Sequence, residues 1–333
     1  MIIFFVSDNK CQITFISQQT ENYIVGENVS NIGFKERVKG YINLIRPFTL
    51  LAPILVSTCI IVASFFYNGE TKNISSIIWS TIIPASFALA ILNGASNALN
   101  QATDIKSDKI SKPYRPIPKG VISTSEAKMI SIVMYLTAFY ISITINITFS
   151  FFVLLITIFT VTYSIPPRIK DVLFLNQIWV AIPRGLLGIL ASWSVCGNPL
   201  QPLPISIGFI AMLFLIGGSI TKDVTDSYAD KKTGTHTLVN TFGVKKAAFM
   251  ALPFMFFPFF MIPILIDSGI LESYFWLLTF LAIPGYLVFY LMIRENNRSK
   301  FLENTSAWTL MYVTYFVFAS SFSVLTVLGS VIA

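Results

Sequence analysis

Apolar residues fill nine stretches of the chain, at 47–67, 76–103, 127–146, 150–166, 174–195, 203–221, 246–266, 272–293 and 305–330, with short polar segments between them. A helix rises about 1.5 Å per residue, so a run of about 20 residues crosses a hydrocarbon core of about 30 Å. The pattern predicts an all-α, polytopic bundle of about nine transmembrane helices around a central cavity open to the cytosolic side. The third and fourth runs nearly touch, which demands a tight turn between them. Nothing between the runs is long enough for a soluble domain. Residues 1–34 read as a loosely ordered cytosolic tail, and 35–333 as one membrane domain. The short run MIIFFV at the start has no basic leader and does not read as a signal peptide.

Composition agrees. With 54% hydrophobic and 12% charged residues and a mean hydropathy of +0.71, the chain is too apolar for an ordinary soluble globule. The positive charges then orient it. Of 23 Lys and Arg residues, 20 fall on one side of the nine runs; Lys72 lies on the other, Lys10 in the distal tail and Arg184 inside a run. Lys and Arg gather in cytoplasmic loops, so the N-terminus is expected in the cytosol and the C-terminus outside a multi-pass cell-membrane protein. The formal charge of +7 is then a topology signal and an attraction to anionic lipid or phosphorylated substrates rather than to nucleic acid. Cys11, Cys59 and Cys196 have no metal-ligand spacing, and a single histidine, His236, excludes a His-ligated metal centre within one chain.

The polar residues that remain in or beside the runs are the candidate chemistry. Positions four apart on a helix differ by about 40°, so Asn93, Asn97, Asn100, Asp104 and Asp108 fall on one stripe. Some 120 residues on, Asp223, Asp226 and Asp230 repeat the geometry at i, i+3 and i+7, with Ser219 one turn deeper. Asp104 and Asp108 recur as Asp226 and Asp230 at an offset of 122, and Gly120-Val121 as Gly243-Val244 at 123, a faint internal repeat that would set two acidic mouths face to face. Carboxylates without a neutralising role are costly at a membrane. Hard carboxylate oxygens with an amide carbonyl suit Mg2+, which binds through one or two carboxylates plus substrate phosphates. The expected metal ligands are Asn100, Asp104, Asp108, Asp223, Asp226 and Asp230. Cations follow the first stripe in KPYRPIPKG, where prolines stiffen a loop carrying Lys112, Arg115 and Lys119, and YSIPPRIK adds Tyr163, Arg168 and Lys170. With Lys222, these could hold diphosphate oxygens beyond the metal's reach.

These motifs resemble the UbiA superfamily of intramembrane prenyltransferases over nearly the whole chain from about residue 40. The pattern N-x3-D-x3-D followed by P-Y-R-P-I-P-x-G is similar to the branch that contains chlorophyll synthases and digeranylgeranylglyceryl phosphate synthases. The segment Lys222-Asp223-x2-Asp226-x3-Asp230-x3-Gly234 resembles that branch's second motif. Members usually carry Gly-Asn shortly after the YSIPPRIK loop, whereas this chain has Leu175-Asn176-Gln177, a departure that bears on the acceptor rather than the chemistry. The resemblance implies a Mg2+-dependent enzyme that moves a long, geranylgeranyl-like prenyl group from its diphosphate to a membrane-associated acceptor. A glyceryl phosphate ether of archaeal lipid synthesis is the preferred acceptor, with a tetrapyrrole, an aromatic quinone precursor or haem as alternatives. Its partners would be the prenyl diphosphate, an amphipathic acceptor and membrane lipid. Asp104, Asp108, Asp226, Asp230 and Tyr163 would be catalytic; Asn97, Asn100, Lys112, Arg115, Lys119, Arg168, Lys170, Arg184, Lys222 and Arg46 would bind substrate.

Two other classes fit less well. A CDP-alcohol phosphotransferase would need an Ala-Arg pair after its aspartates, and Asp226 is followed by Ser227 without one. A transporter would continue its polar groups to the far side, but here they gather at one face. Arg184, about ten residues and so about 15 Å into the fifth run, is expected to face the bundle interior, on a helix opened by Pro183, Gly185 and Gly188. Topology offers a direct check. With single cysteines at positions 111 and 268 and the native ones removed, an impermeant thiol reagent added from outside should modify 268 and spare 111; labelling only at 111 contradicts the orientation.

Overall fold

The computed structural model describes residues 32–69, 73–294 and 305–332, so most of the proposed tail at 1–34 lies outside the described residues. Those described form helices and turns, without a strand. Helix α1 (Phe34–Ile45) leads through Arg46 into α2 (Pro47–Tyr67), then α3 (Ile83–Thr103), α4 (Ile105–Ser111), α5 (Thr124–Ile145), α6 (Ile147–Ser164), α7 (Leu175–Ala181), α8 (Leu187–Trp193) and α9 (Pro202–Thr233). There follow α10 (Leu238–Phe242), α11 (Val244–Phe256), α12 (Met261–Asp267), α13 (Ala282–Arg294) and α14 (Ser306–Ile332).

Among the described residues, eight helical stretches are long and apolar enough to cross a membrane. The ninth expected span is present as α7 and α8 joined by a π turn at Ile182–Leu186. Asn176, Gln177 and Arg184 make this stretch more polar than its neighbours, and Pro183 accounts for the opened turn because it has no amide hydrogen to donate to the regular ladder. The near-contact of the third and fourth runs is settled by one residue. Asn146 ends α5 and starts α6 in an extended conformation (φ −166°, ψ 162°), its side-chain oxygen accepting from the Phe149 amide at 2.7 Å while its Nδ2 donates to the Ser194 carbonyl at 3.0 Å.

Small residues let the central helices approach closely. The buried Ala85, Ala88, Ala95, Ala98 and Ala102 line one side of α3, which packs most extensively on α5, and Ser131 donates to the Ala95 carbonyl at 2.8 Å. Without a hydrophobic drive between helices in lipid, such contact and interhelical hydrogen bonding hold the bundle. One core joins α3, α5, α6 and α8; the other joins α9, α11, α13 and α14. Large apolar side chains such as Leu136, Tyr140 and Phe249 point outward, as a lipid-facing surface requires. A third, smaller cluster of Leu44, Ala98, Ile117, Val121 and Ile122 pins the loop after α4 beneath α1.

Gly185, in the π turn, lies flat against α9: a Cβ there would sit 2.5 Å from the Met212 amide nitrogen and Cα. Gly185→Ala must push two backbones apart, and overpacking of this kind costs about 1–3 kcal/mol. The thermal midpoint in detergent should fall by several degrees; an unchanged midpoint would show that the turn can shift freely.

A candidate active site at two acidic helix mouths

The first motif is not one continuous stripe. Helix α3 ends at Thr103, and Asp104 (φ −102°, ψ 14°) breaks it before α4 begins. The expected run from Asn93 to Asp108 is thus carried by two helices rather than one, although Asn97, Asn100, Asp104 and Asp108 still line one cavity. The second motif does lie on an unbroken helix, because α9 runs 32 residues to a left-handed Gly234 (φ 80°). The two motifs therefore differ in local structure where the faint repeat led one to expect likeness.

Between them is a chamber of about 400 Å3 lined by Asn97, Asn100, Asp104, Asp108, Lys112, Arg115, Tyr163, Arg168, Lys170, Arg184, Lys222, Asp223, Asp226 and Asp230, with Arg46 at its edge. Its charges are cross-linked. Lys112 pairs with Asp226, joining the loop after α4 to α9. Lys170 pairs with Asp104, and Arg168 reaches the same carboxylate at 3.1 Å while its Nε donates to Asp171 at 2.6 Å. Arg115 grips both oxygens of Asp108 at 2.9 and 2.8 Å, and these side chains are only 7% and 5% exposed. Burial pushes the Asp108 carboxyl above the usual carboxylate range against the pull of Arg115 and Lys112. Asp223 accepts from Gln177 at 3.0 Å, and Lys222 donates to the Tyr163 hydroxyl at 2.6 Å with its ammonium 5.0 Å from the ring centre.

Several expected residues have other work. Asn97 donates to the Ile45 carbonyl and Thr49 Oγ1, both at 2.9 Å, and Asn93 to the Thr49 carbonyl at 3.2 Å; both tie α3 to the α1–α2 junction, although Asn97 also reaches the chamber wall. Lys119 is exposed and is not among the chamber residues, because the Ile117–Ile122 anchor turns it away. The six expected metal ligands do not form one ready-made cluster: among the described residues, no three acidic side chains are gathered closely enough to hold an ion. Donors do remain. The side chains of Asn100 and Asp230 line the chamber without a hydrogen-bond partner among the described residues, and Asn176, 3% exposed, buries its Oδ1 unpaired at the same wall. Such hard oxygen donors suit a divalent cation bound together with an anion.

The sequence reading missed Asp171, Asn176 and Gln177, and an aromatic wall of Trp308 and Tyr312. Two adjacent amides at the head of an apolar run were a visible signal, since polar groups inside spans need partners. Trp308, Tyr312 and Tyr315 share a helix face by spacing, but nothing marks that face among 30 Phe residues. A second, narrower cavity of about 110 Å3 continues inward from the chamber, lined by Val56, Leu89, Leu92, Ile156 and Leu215 among others.

A polar, cation-rich chamber at the end of a membrane bundle, opening into an apolar cavity, defines an integral membrane enzyme for substrates with an anionic head and a hydrocarbon tail. The chain belongs to the UbiA prenyltransferase family, whose profile matches residues 55–302. It is 29% identical to the digeranylgeranylglyceryl phosphate synthase of Methanosphaera stadtmanae over 64% of this chain and 72% of that one. It is 25% identical to the synthase of the same name from Methanobrevibacter smithii over 84% and 96%. Its fold matches the solved structure of a UbiA homologue from Archaeoglobus fulgidus bound to DMAPP and Mg2+, with a TM-score of 0.66 at 18% identity, covering 88% of this chain and 99% of that one.

The buried Asp108–Arg115 pair is separable from the chemistry by its effect on folding. Removing one partner of such a pair costs about 3–5 kcal/mol because the other charge is stranded. Arg115→Ala should therefore destabilise the protein strongly, and Asp108→Asn/Arg115→Gln should recover much of that loss in a thermal melt. A stable Arg115→Ala protein would mean that the pair is dispensable.

Proposed function

We propose that the protein transfers a geranylgeranyl-like group from its diphosphate to the hydroxyl of a glyceryl phosphate ether lipid, releasing diphosphate. The observation that carries this reading is the pairing of carboxylates with loop cations around one chamber that continues into an apolar cavity. The similarity to two archaeal synthases supports the acceptor class. The bias of Lys and Arg toward the motif-bearing end supports a chamber facing the cytosol.

Asp104, Asp223, Asp226 and Asp230, with Asn100 and Asn176, would hold Mg2+ and the donor diphosphate. A divalent cation there would offset the charge that builds on the diphosphate as its bond to the prenyl carbon breaks. Lys112 and Lys170 would leave Asp226 and Asp104 to contact the incoming phosphate oxygens, so that each carboxylate and each cation exchanges its present partner for a substrate-bound one. Arg168 would follow from the same loop. Lys222 donates to the Tyr163 hydroxyl and would hold that phenol toward the leaving oxygen. Trp308, Tyr312 and Trp179 line the wall, and their ring faces would stabilise an allylic cation while excluding water. Asp108 and Arg115, paired and buried, position α4 and its loop rather than touching substrate.

Activity should require a divalent cation. Losing a group that stabilises transition-state charge costs about 100-fold or more, so Asp104→Ala and Asp226→Ala should each lower turnover by at least that factor and weaken donor binding. Diphosphate release that continues at the full rate in excess EDTA, or near-normal rates in both variants, contradicts the metal assignment.

A further inference from the structure

Arg184 occupies a singular place in the charge pattern. Three carboxylates of the two motifs already hold cations: Asp104 binds Lys170 and Arg168, Asp108 binds Arg115, and Asp226 binds Lys112. Arg184, by contrast, has an exposed side chain whose guanidinium has no hydrogen-bond or ion-pair partner among the described residues. It is nevertheless firmly placed. The Tyr315 hydroxyl donates to its backbone carbonyl at 2.8 Å, and the neighbouring Gly185 is pressed onto the backbone of Met212. A guanidinium within a membrane span costs at least about 2.5 kcal/mol on insertion scales, and such residues are retained for a partner or a ligand.

Its position narrows the ligand. Arg184 lines both the polar chamber and the apolar cavity, as do Lys222, Thr49, Thr160, Trp308 and Tyr312. The neck between the two spaces thus holds two cations and no carboxylate. An anion seated there would leave its hydrocarbon in the apolar cavity and present an adjacent group to the chamber. A phosphate monoester on a lipid glycerol has that shape, and a planar guanidinium fork binds phosphate oxygens two at a time.

Resting on the function proposed above, we infer that Arg184 is the specificity-determining residue for the acceptor's phosphate, with Lys222 beside it. The donor diphosphate is held separately, by the cations that now neutralise Asp104 and Asp226. Two substrates that each bring negative charge then meet with their heads on different sides of the neck.

The test uses the full chain in detergent, geranylgeranyl diphosphate as donor, and geranylgeranylglyceryl phosphate or its phosphate-free alcohol as acceptor. Turnover and direct acceptor binding, read by tryptophan fluorescence, are measured on the wild type, Arg184→Gln and Arg184→Lys. Losing a charge-assisted bidentate contact should raise the acceptor's KM and Kd by about 10-fold or more in Arg184→Gln, with the donor's KM changed by less than about 2-fold. Arg184→Lys should recover part of the loss, and the wild type's preference for the phosphorylated acceptor should shrink in Arg184→Gln. A rise in the donor's KM equal to the acceptor's, or an undiminished phosphate preference, overturns the inference while leaving the function intact. If the wild type binds the phosphorylated acceptor through Arg184 yet does not prenylate it, the functional reading falls and the phosphate site stands. If Arg184→Gln binds it as well as the wild type, the site falls.

Discussion

Carboxylates at the end of an apolar bundle must be neutralised, and the way this chain does so organises everything around its chamber. Burying an unpaired charge costs several kcal/mol after relaxation, and pairing recovers that cost only when the geometry is good. Here the pairs run between elements rather than within them. Lys112–Asp226 draws the loop after α4 onto α9, and Lys170–Asp104 draws the loop after α6 onto the end of α3. Asp171 extends that second link by accepting from Thr235 at 3.2 Å, so the turn after α9 joins as well. Ionic contacts therefore close the mouth of a bundle whose interior is held by small-residue packing.

The breaks in the helices serve the same end. Asp104 interrupts α3 and α4 so that its carboxylate faces the YSIPPRIK loop, while Asp108 turns back to Arg115. The π turn at Ile182–Leu186 aims Arg184 into the neck, where a straight helix would set a different register. Loop 112–122 stays rigid because Ile117, Val121 and Ile122 are buried beneath α1, and that anchoring sorts its three cations: Lys112 and Arg115 inward, Lys119 outward. The counter-ion exchange proposed above would need such fixed supports beside exchangeable pairs.

Much of this was legible in the sequence. Nine apolar runs and one-sided Lys and Arg defined the bundle, and the spacing of Asp223, Asp226 and Asp230 survives on an unbroken helix. Where the reading failed, tertiary context prevailed over periodicity. The stripe from Asn93 to Asp108 assumed a helix that continues past Asp104, and spacing could not show that Asn97, at the chamber wall, also donates to the Ile45 carbonyl at the α1–α2 junction. The pairing of acids with loop cations could not be read from spacing, since those contacts span up to 114 positions. Asn176 and Gln177 were visible as a departure from the family's pattern, but only the structure turned them toward the chamber and Asp223.

The most direct measurement is a product analysis. Purified protein is incubated with geranylgeranyl diphosphate, Mg2+ and a panel of acceptors comprising a glyceryl phosphate ether, a hydroxybenzoate, a naphthoate, a tetrapyrrole acid and haem, and the products are read by mass. The account predicts one new species, the glyceryl phosphate ether bearing a second prenyl chain, with an equivalent of diphosphate. Prenylation of an aromatic or tetrapyrrole acceptor in its place, or consumption of the donor without a prenylated product, would contradict it.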